Sequence, residues 1–197
     1  MTIEKYVEGA LRTESPRNPI TKEVEDLGLS GRLAHAIIGI NTEVGEVNLA
    51  TVGKRWDNYD RVNILEEIGD IKWYLAVASD ILPDFTMDTP LVELLPEGDF
   101  DEVLNTLSNR AIEMLDLIKK TMFYGKPLDT SKVIKHLNEI NNMCGIIISG
   151  FSSTESAVLS TNLAKLSARY PEKFTDFDAD NRDLKKERTI LEEGANK

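Results

Sequence analysis

The chain has 197 residues, 41% hydrophobic and 29% charged, which fits one soluble globular domain able to bury about 70% of its unfolded surface. Its formal net charge of −11 excludes a reader of the nucleic-acid backbone, which needs a basic surface; small phosphorylated ligands held through a divalent metal stay open. The single cysteine, Cys144, excludes an intrachain disulfide framework. MTIEKYVEGALRTES lacks a signal peptide's apolar core and no stretch approaches the ~18 apolar residues of a membrane span, so a cytoplasmic protein free of membrane is expected.

The periodicity is helical almost throughout. TIEKYVEGALRTE predicts a short helix, broken at Pro16 and Pro19. Ser30 is the expected N-cap of a long helix to about Val52, with Leu33, Ile37, Ile40, Val44 and Val47 as its apolar column and Gly53 as its stop. A second long helix is expected from about Asp60 to Leu82, ended by Pro83. The three prolines of residues 83–99 predict a connection. Further helices are expected near 100–124, 129–150 and 153–170, the last ended by Pro171. The charged tail, 171–197, predicts a solvated helix or a partner arm, with Lys185, Lys186 and Arg188 on its surface. No segment alternates as a half-buried strand does, so the fold class is all-α, in a single domain.

A weak internal echo runs through this order. GKRWDNYDRVNILEEIGD (53–70) and GKPLDTSKVIKHLNEINN (125–142) align without gaps at an offset of 72. Upstream, EVGE (43–46) meets EMLD (113–116) at an offset of 70. Two helical hairpins, 30–82 and a degenerate copy at 100–150, would stack as a four-helix bundle.

The chemistry sits on the first two long helices. With 34 acids, chance alone gives about six pairs at i,i+3, so spacing by itself is no signal. Context is. In EVGE, Glu43 and Glu46 face Gly39, Ala50 and Gly53, where a solvated face would carry Lys, Gln or Ser. In LEEIGDIKWYL, Glu67 and Asp70 share a face with Ile71, Trp73 and Tyr74. Four such carboxylates cannot all stay ionised without compensation. An all-oxygen set suits Mg²⁺ or Mn²⁺ and disfavours zinc. A di-iron bundle needs Glu-x-x-His, and neither His35 nor His136 follows an acid by three residues. The competing reading is a salt-bridged helix pair, with Lys54, Arg55 and Lys72 as partners. The residues alone leave both open.

HAIIGINTEVGEV (35–47) followed by NILEEIGDIKWYLA (63–76) resembles the MazG-like, all-α nucleoside triphosphate pyrophosphohydrolases, a superfamily that includes the dimeric dUTPases. Its signature is Glu-x-x-Glu, a spacer, then Glu-x-x-Asp; here 20 residues separate the two motifs. NLAKLSARYPEKF (162–174) is similar to the family's closing helix. The resemblance implies Mg²⁺-dependent cleavage of a nucleoside triphosphate between the α and β phosphates, releasing the monophosphate and pyrophosphate. It implies Glu43, Glu46, Glu67 and Asp70 as metal ligands, with Glu43 or Glu46 orienting the attacking water. Lys165 and Arg169 would meet phosphates. It also implies a homodimer whose neighbouring subunit helps complete the pocket, or a monomeric pseudo-dimer in which the second half does so.

The chain departs from the family pattern where KKTMFYGKPLD stands in the second half (119–129), and Asn142 replaces the acid the echo calls for. The second half thus reads as a copy without a metal site, whose Lys119, Lys120 and Lys126 could turn towards the first half's pocket. Lys54 is a further cation candidate. Trp56 or Trp73 could stack a base, His35 could touch the pocket, and Asn63 could contact a sugar or orient an acid; core roles compete for each. The alternative function is a non-catalytic bundle that binds a nucleotide or a protein.

Overall fold

The computed structural model describes residues 1–15, 28–54, 58–88 and 100–195. Eight helices run through them: α1 (Ile3–Leu11), α2 (Gly28–Thr51), α3 (Arg61–Ile81), α4 (Phe100–Tyr124), α5 (Thr130–Gly150), α6 (Glu155–Arg169), α7 (Asp176–Asp180) and α8 (Leu184–Ala195). No strand occurs among the described residues, so the fold is all-α. No helix is long and apolar enough to cross a membrane.

Local chemistry explains most helix ends. Thr2, Asp60, Asp129 and Thr154 each accept from the backbone N–H three residues on, satisfying a donor that the first turn leaves unpaired. The sequence expectation of a helix start at Ser30 is shifted: α2 begins two residues earlier, which puts Ser30 inside its first turn. After α2 and α4 the chain turns through Gly53 (φ 70°) and Gly125 (φ 63°), left-handed positions that favour glycine. These two glycines keep the offset of 72 seen in the sequence. The starts of α3 and α5, at 61 and 130, are 69 apart, so the second hairpin turns in three fewer residues. Asp57 and the connection at 89–99 lie outside the described residues.

Four helices form the bundle. Gly39 meets Tyr74, while Glu46, later on α2, meets Glu67, earlier on α3, so these helices run antiparallel. Arg110 with Glu139, and Glu113 with His136, give α4 and α5 the same relation. Asn41 Nδ2 donates to the Ala111 carbonyl at 2.9 Å and Asn48 Nδ2 to Ser108 Oγ at 2.9 Å, joining α2 to α4. Ile37, Ile40, Ile64, Ile68, Leu107, Leu137 and Ile140 are fully buried between the pairs. Each such side chain contributes about 1.5–3 kcal/mol of transfer free energy, which sets the bundle's architecture before any polar contact acts.

α1 and α6 close over α3. Tyr6 donates its hydroxyl to Asn162 Oδ1 (2.9 Å) and lies 3.1 Å from the Gly69 carbonyl. The Trp73 indole N–H reaches the Ala10 carbonyl at 3.1 Å and Thr13 Oγ1 at 2.9 Å. The tail differs from the sequence expectation. α8 is docked, with Glu187, Leu191, Gly194 and Ala195 buried, because a short apolar stripe fits the groove between α3 and α6. Gly194 lies so close to Thr161 that a Cβ there would fall 2.1 Å from its Oγ1. Lys185, Lys186 and Arg188 do face solvent.

Candidate metal and polyphosphate site

Three of the four motif acids converge. One carboxylate oxygen from each of Glu43, Glu46 and Glu67 lies within 4.8 Å of the other two. The register follows from the antiparallel α2–α3 pair. Gly39 allows the Tyr74 ring to pack against α2, since a Cβ there would sit 2.1 Å from the Tyr74 Cζ. That close approach brings the next turns, carrying Glu43 and Glu46, onto the turn carrying Glu67. Glu46 is exposed, Glu43 half-buried and Glu67 6% exposed.

The fourth acid lines the same cavity as Glu43 but is paired with a cation. Asp70 Oδ2 lies 2.5 Å from the Lys165 ammonium, and Asp70 Oδ1 accepts from Asn162 Nδ2 at 2.7 Å. Lys165, 1% exposed, also reaches Glu66 Oε1 at 3.2 Å. Its clamp is built from three helices: α6 supplies Lys165 and Asn162, α3 supplies Glu66 and Asp70, and Tyr6 of α1 orients the Asn162 amide. Burial disfavours the Lys165 charge, but Asp70 and then Glu66 outweigh it and hold its pKa above the ordinary value.

The field at the three converging acids has the opposite character. Burial, then Asp70 and Glu66, raise the Glu67 carboxyl to about 9. Burial, then Asp70 and Glu46, raise Glu43 to about 7. Among the described ion pairs, Lys165 contacts Asp70 and Glu66 but none of Glu43, Glu46 and Glu67. Without another cation the two most buried acids of the cluster take up protons at neutral pH. The donor set is oxygen only, which a hard divalent cation fits.

A cavity of about 230 Å³ opens beside the acids. Glu43 and Asp70 form its acidic wall, Arg169 its basic one, and His35, Trp73, Tyr74, Tyr170 and Phe174 its aromatic surfaces. His35 stands edge-on to Trp73 (6.1 Å) and Tyr74 (5.5 Å). Burial lowers the His35 pKa, keeping the ring neutral at physiological pH. Arg169 is tied to the tail, with its Nε 3.0 Å from Glu187 Oε1 and Nη2 2.6 Å from Glu187 Oε2.

The remaining sequence candidates fall elsewhere. Lys54 is exposed beyond the end of α2, and the Asn63 backbone N–H serves the Asp60 cap at 3.2 Å; neither lines the cavity. Lys119 and Lys120 pair with Asp116 on their own helix at 2.6 and 2.5 Å, and Lys126 is exposed. None of the three lines the cavity. Lys72 partners none of the motif acids; it is buried against Asn141 (2.6 Å) and Glu155. Where the echo places a second acid site, Arg110 bridges Glu113 and Glu139, at 2.7 Å from each, beside the buried His136. Trp73 is at once core, anchor of α1 and cavity wall. Arg55 and Trp56 lie outside the described residues.

Tyr6 stands outside every motif of the sequence, whereas Asn162 opens the segment NLAKLSARYPEKF. Tyr6 and Asn162 orient Asp70 from 64 and 92 residues away in the chain. Tyr74 was visible only as a neighbour of Asp70 at i+4, and Glu187 sat in a stretch read as solvated. No family model, curated protein or solved structure matches this chain.

Proposed function

We infer that the chain is a metal-dependent nucleoside triphosphate pyrophosphohydrolase of MazG-like type, cleaving between the α and β phosphates to give the nucleoside monophosphate and pyrophosphate. The observation that carries this reading is the convergence of Glu43, Glu46 and Glu67 on one point, with Glu43 also lining a cavity that Arg169 lines. The resemblance of EVGE and EEIGD to the family's paired acid motifs supports the same conclusion.

Glu43, Glu46 and Glu67 are the residues that would hold Mg²⁺, or Mn²⁺ in its place. Bound there, the ion neutralises phosphate charge and lowers the pKa of water. The chain's own groups do the rest. Glu43 or Glu46 would also orient the attacking water. Asp70, fixed by Lys165 and Asn162, supports the acid wall and sets the field that raises Glu67. Arg169 faces the polyphosphate. The Trp73, Tyr74 and His35 surfaces offer apolar walls for a base or sugar and keep water from that end.

The test is product analysis with the common NTPs and dNTPs in Mg²⁺. Pyrophosphate as first product, lost by several orders of magnitude in Glu67→Gln, supports the reading; orthophosphate as first product refutes it. One observation favours the non-catalytic alternative: Asp70 is already neutralised by Lys165, leaving three acids where the motif has four. Calorimetry with non-hydrolysable triphosphates separates the two, because that alternative requires binding without turnover.

A further inference from the structure

The C-terminal helix sets the position of Arg169 at the cavity. Arg169 is the last residue of α6, where a helix end offers little backbone restraint. Its guanidinium is nevertheless fixed. Nε and Nη2 meet the two oxygens of Glu187 in a fork, and the group stands 5.8 Å from the centroid of the Tyr170 ring. Glu187 is 3% exposed and lies on α8, which is held between α3 and α6 by Leu191, Gly194 and Ala195. A second arginine, Arg182, brings Nη2 to within 2.8 Å of the same Glu187 Oε2.

We propose that Glu187 is a positioning residue for the polyphosphate site: its two-oxygen hold fixes the Arg169 guanidinium at the cavity wall, while Arg182 balances its charge. The proposal rests on the polyphosphate reading of the site. A lone Arg169–Glu187 pair has no net charge and attracts a polyanion weakly. Arg182 adds a second positive charge beyond the pair, so the triad carries +1 and Arg169 stays both fixed and effectively cationic. Bidentate geometry matters because it orients the whole guanidinium plane, which a single contact does not. Ordering the arginine before ligand arrives removes part of the entropy cost of binding. The docked tail thereby becomes part of the site and not an appendage.

The experiment is a double-mutant cycle on the full chain, read by calorimetry with inorganic tripolyphosphate and Mg²⁺, and in parallel by KM and kcat for a triphosphate that is turned over. Glu187→Gln keeps shape and one acceptor but loses the charged fork. The two arginines then carry +2, which by charge alone would tighten polyanion binding. The positioning role predicts the opposite: tripolyphosphate binding weakened about 5- to 20-fold and KM raised in proportion, with kcat changed less. Tighter binding overturns the proposal. Glu187→Asp recovers part of the loss. In an Arg169→Gln background, Glu187→Gln has no further effect beyond about twofold. Arg182→Ala, at a residue 39% exposed and therefore safe for folding, weakens binding by a smaller factor and has no effect once Arg169 is gone. Equal effects of Glu187→Gln in both backgrounds, or none in either, overturn the proposal. Should Glu187→Gln fail to fold, the Arg182→Ala cycle decides in the same way. A chain that binds tripolyphosphate but turns over no triphosphate sinks the catalytic reading alone, and the coupling still decides the role of Glu187. No tripolyphosphate affinity overturns both.

Discussion

The Lys165 ammonium and the Asp70 carboxylate, 95 residues apart in the chain, meet at 2.5 Å in the floor of the site. This contact ties α6 to α3. Asp70→Asn leaves Lys165 buried with Glu66, at 3.2 Å, as its anionic partner among the described residues. Breaking a buried pair from one side costs about 2–4 kcal/mol, discounted here because Asp70 is a quarter exposed. Chemical denaturation of Asp70→Asn against wild type measures it. Lys165→Met, which removes the buried charge itself, is expected to cost less, because Asp70 retains Asn162 and solvent.

The raised carboxyls give a pH signature. Glu67 has a folded value of about 9 against an ordinary 4.5, and Glu43 about 7. Between the unfolded and folded values the native chain binds more protons than the unfolded one, so native stability falls as pH rises. Metal-free protein is therefore most favoured, as far as these two groups act, below about pH 4.5, and loses their contribution progressively up to about pH 9. Thermal melts from pH 5 to 9 in EDTA show a declining Tm. In Glu67→Gln the decline is shallower, since a neutral amide has nothing to lose.

Metal addition reverses that trend. Mg²⁺ or Mn²⁺ must displace the protons on Glu43 and Glu67, so binding releases protons and strengthens as pH rises. Saturating Mg²⁺ is expected to raise Tm at pH 8 more than at pH 6. Glu67→Gln should lose most of that increment. A melt indifferent to divalent ions at both pH values would count against the metal assignment.

Gly39 holds the register of the α2–α3 pair. Gly39→Ala drives a methyl into the Tyr74 ring, which must leave the cavity wall. Overpacking of this kind costs about 1–3 kcal/mol. Pairing it with Tyr74→Leu should recover part of the loss, and the midpoint of urea unfolding reports both values.

Lys119, Lys120 and Lys126 lie on or just beyond α4 and line no part of the cavity. Alanine at each is expected to leave KM within about twofold in a chain acting alone, because exposed ion pairs such as those to Asp116 contribute little. A larger loss in steady-state kinetics would mean that a neighbouring copy carries these lysines to the site.

The sequence by itself determined the elements and the acids. Apolar periodicity located the helices to within a few residues of their ends, as at α4 and α5, because burial of one face dominates helix formation. Gly53 marked the stop of α2, since few other residues adopt its backbone angles without strain. Acids set among small and apolar neighbours identified α2 and α3 as the chemistry-bearing pair. Tertiary structure alone decided which of those acids converge. Asp70 shares a helix face with Glu67, and a buried lysine 95 residues on, held by Glu66 and set beside Asn162 and Tyr6, pairs with it at the cavity wall. It also turned a charged tail into a docked helix, because Leu191, Gly194 and Ala195 are too few to register as a pattern but enough to fill one groove. Helix formation follows from neighbours in the chain, whereas ion pairing depends on which distant side chains are desolvated together.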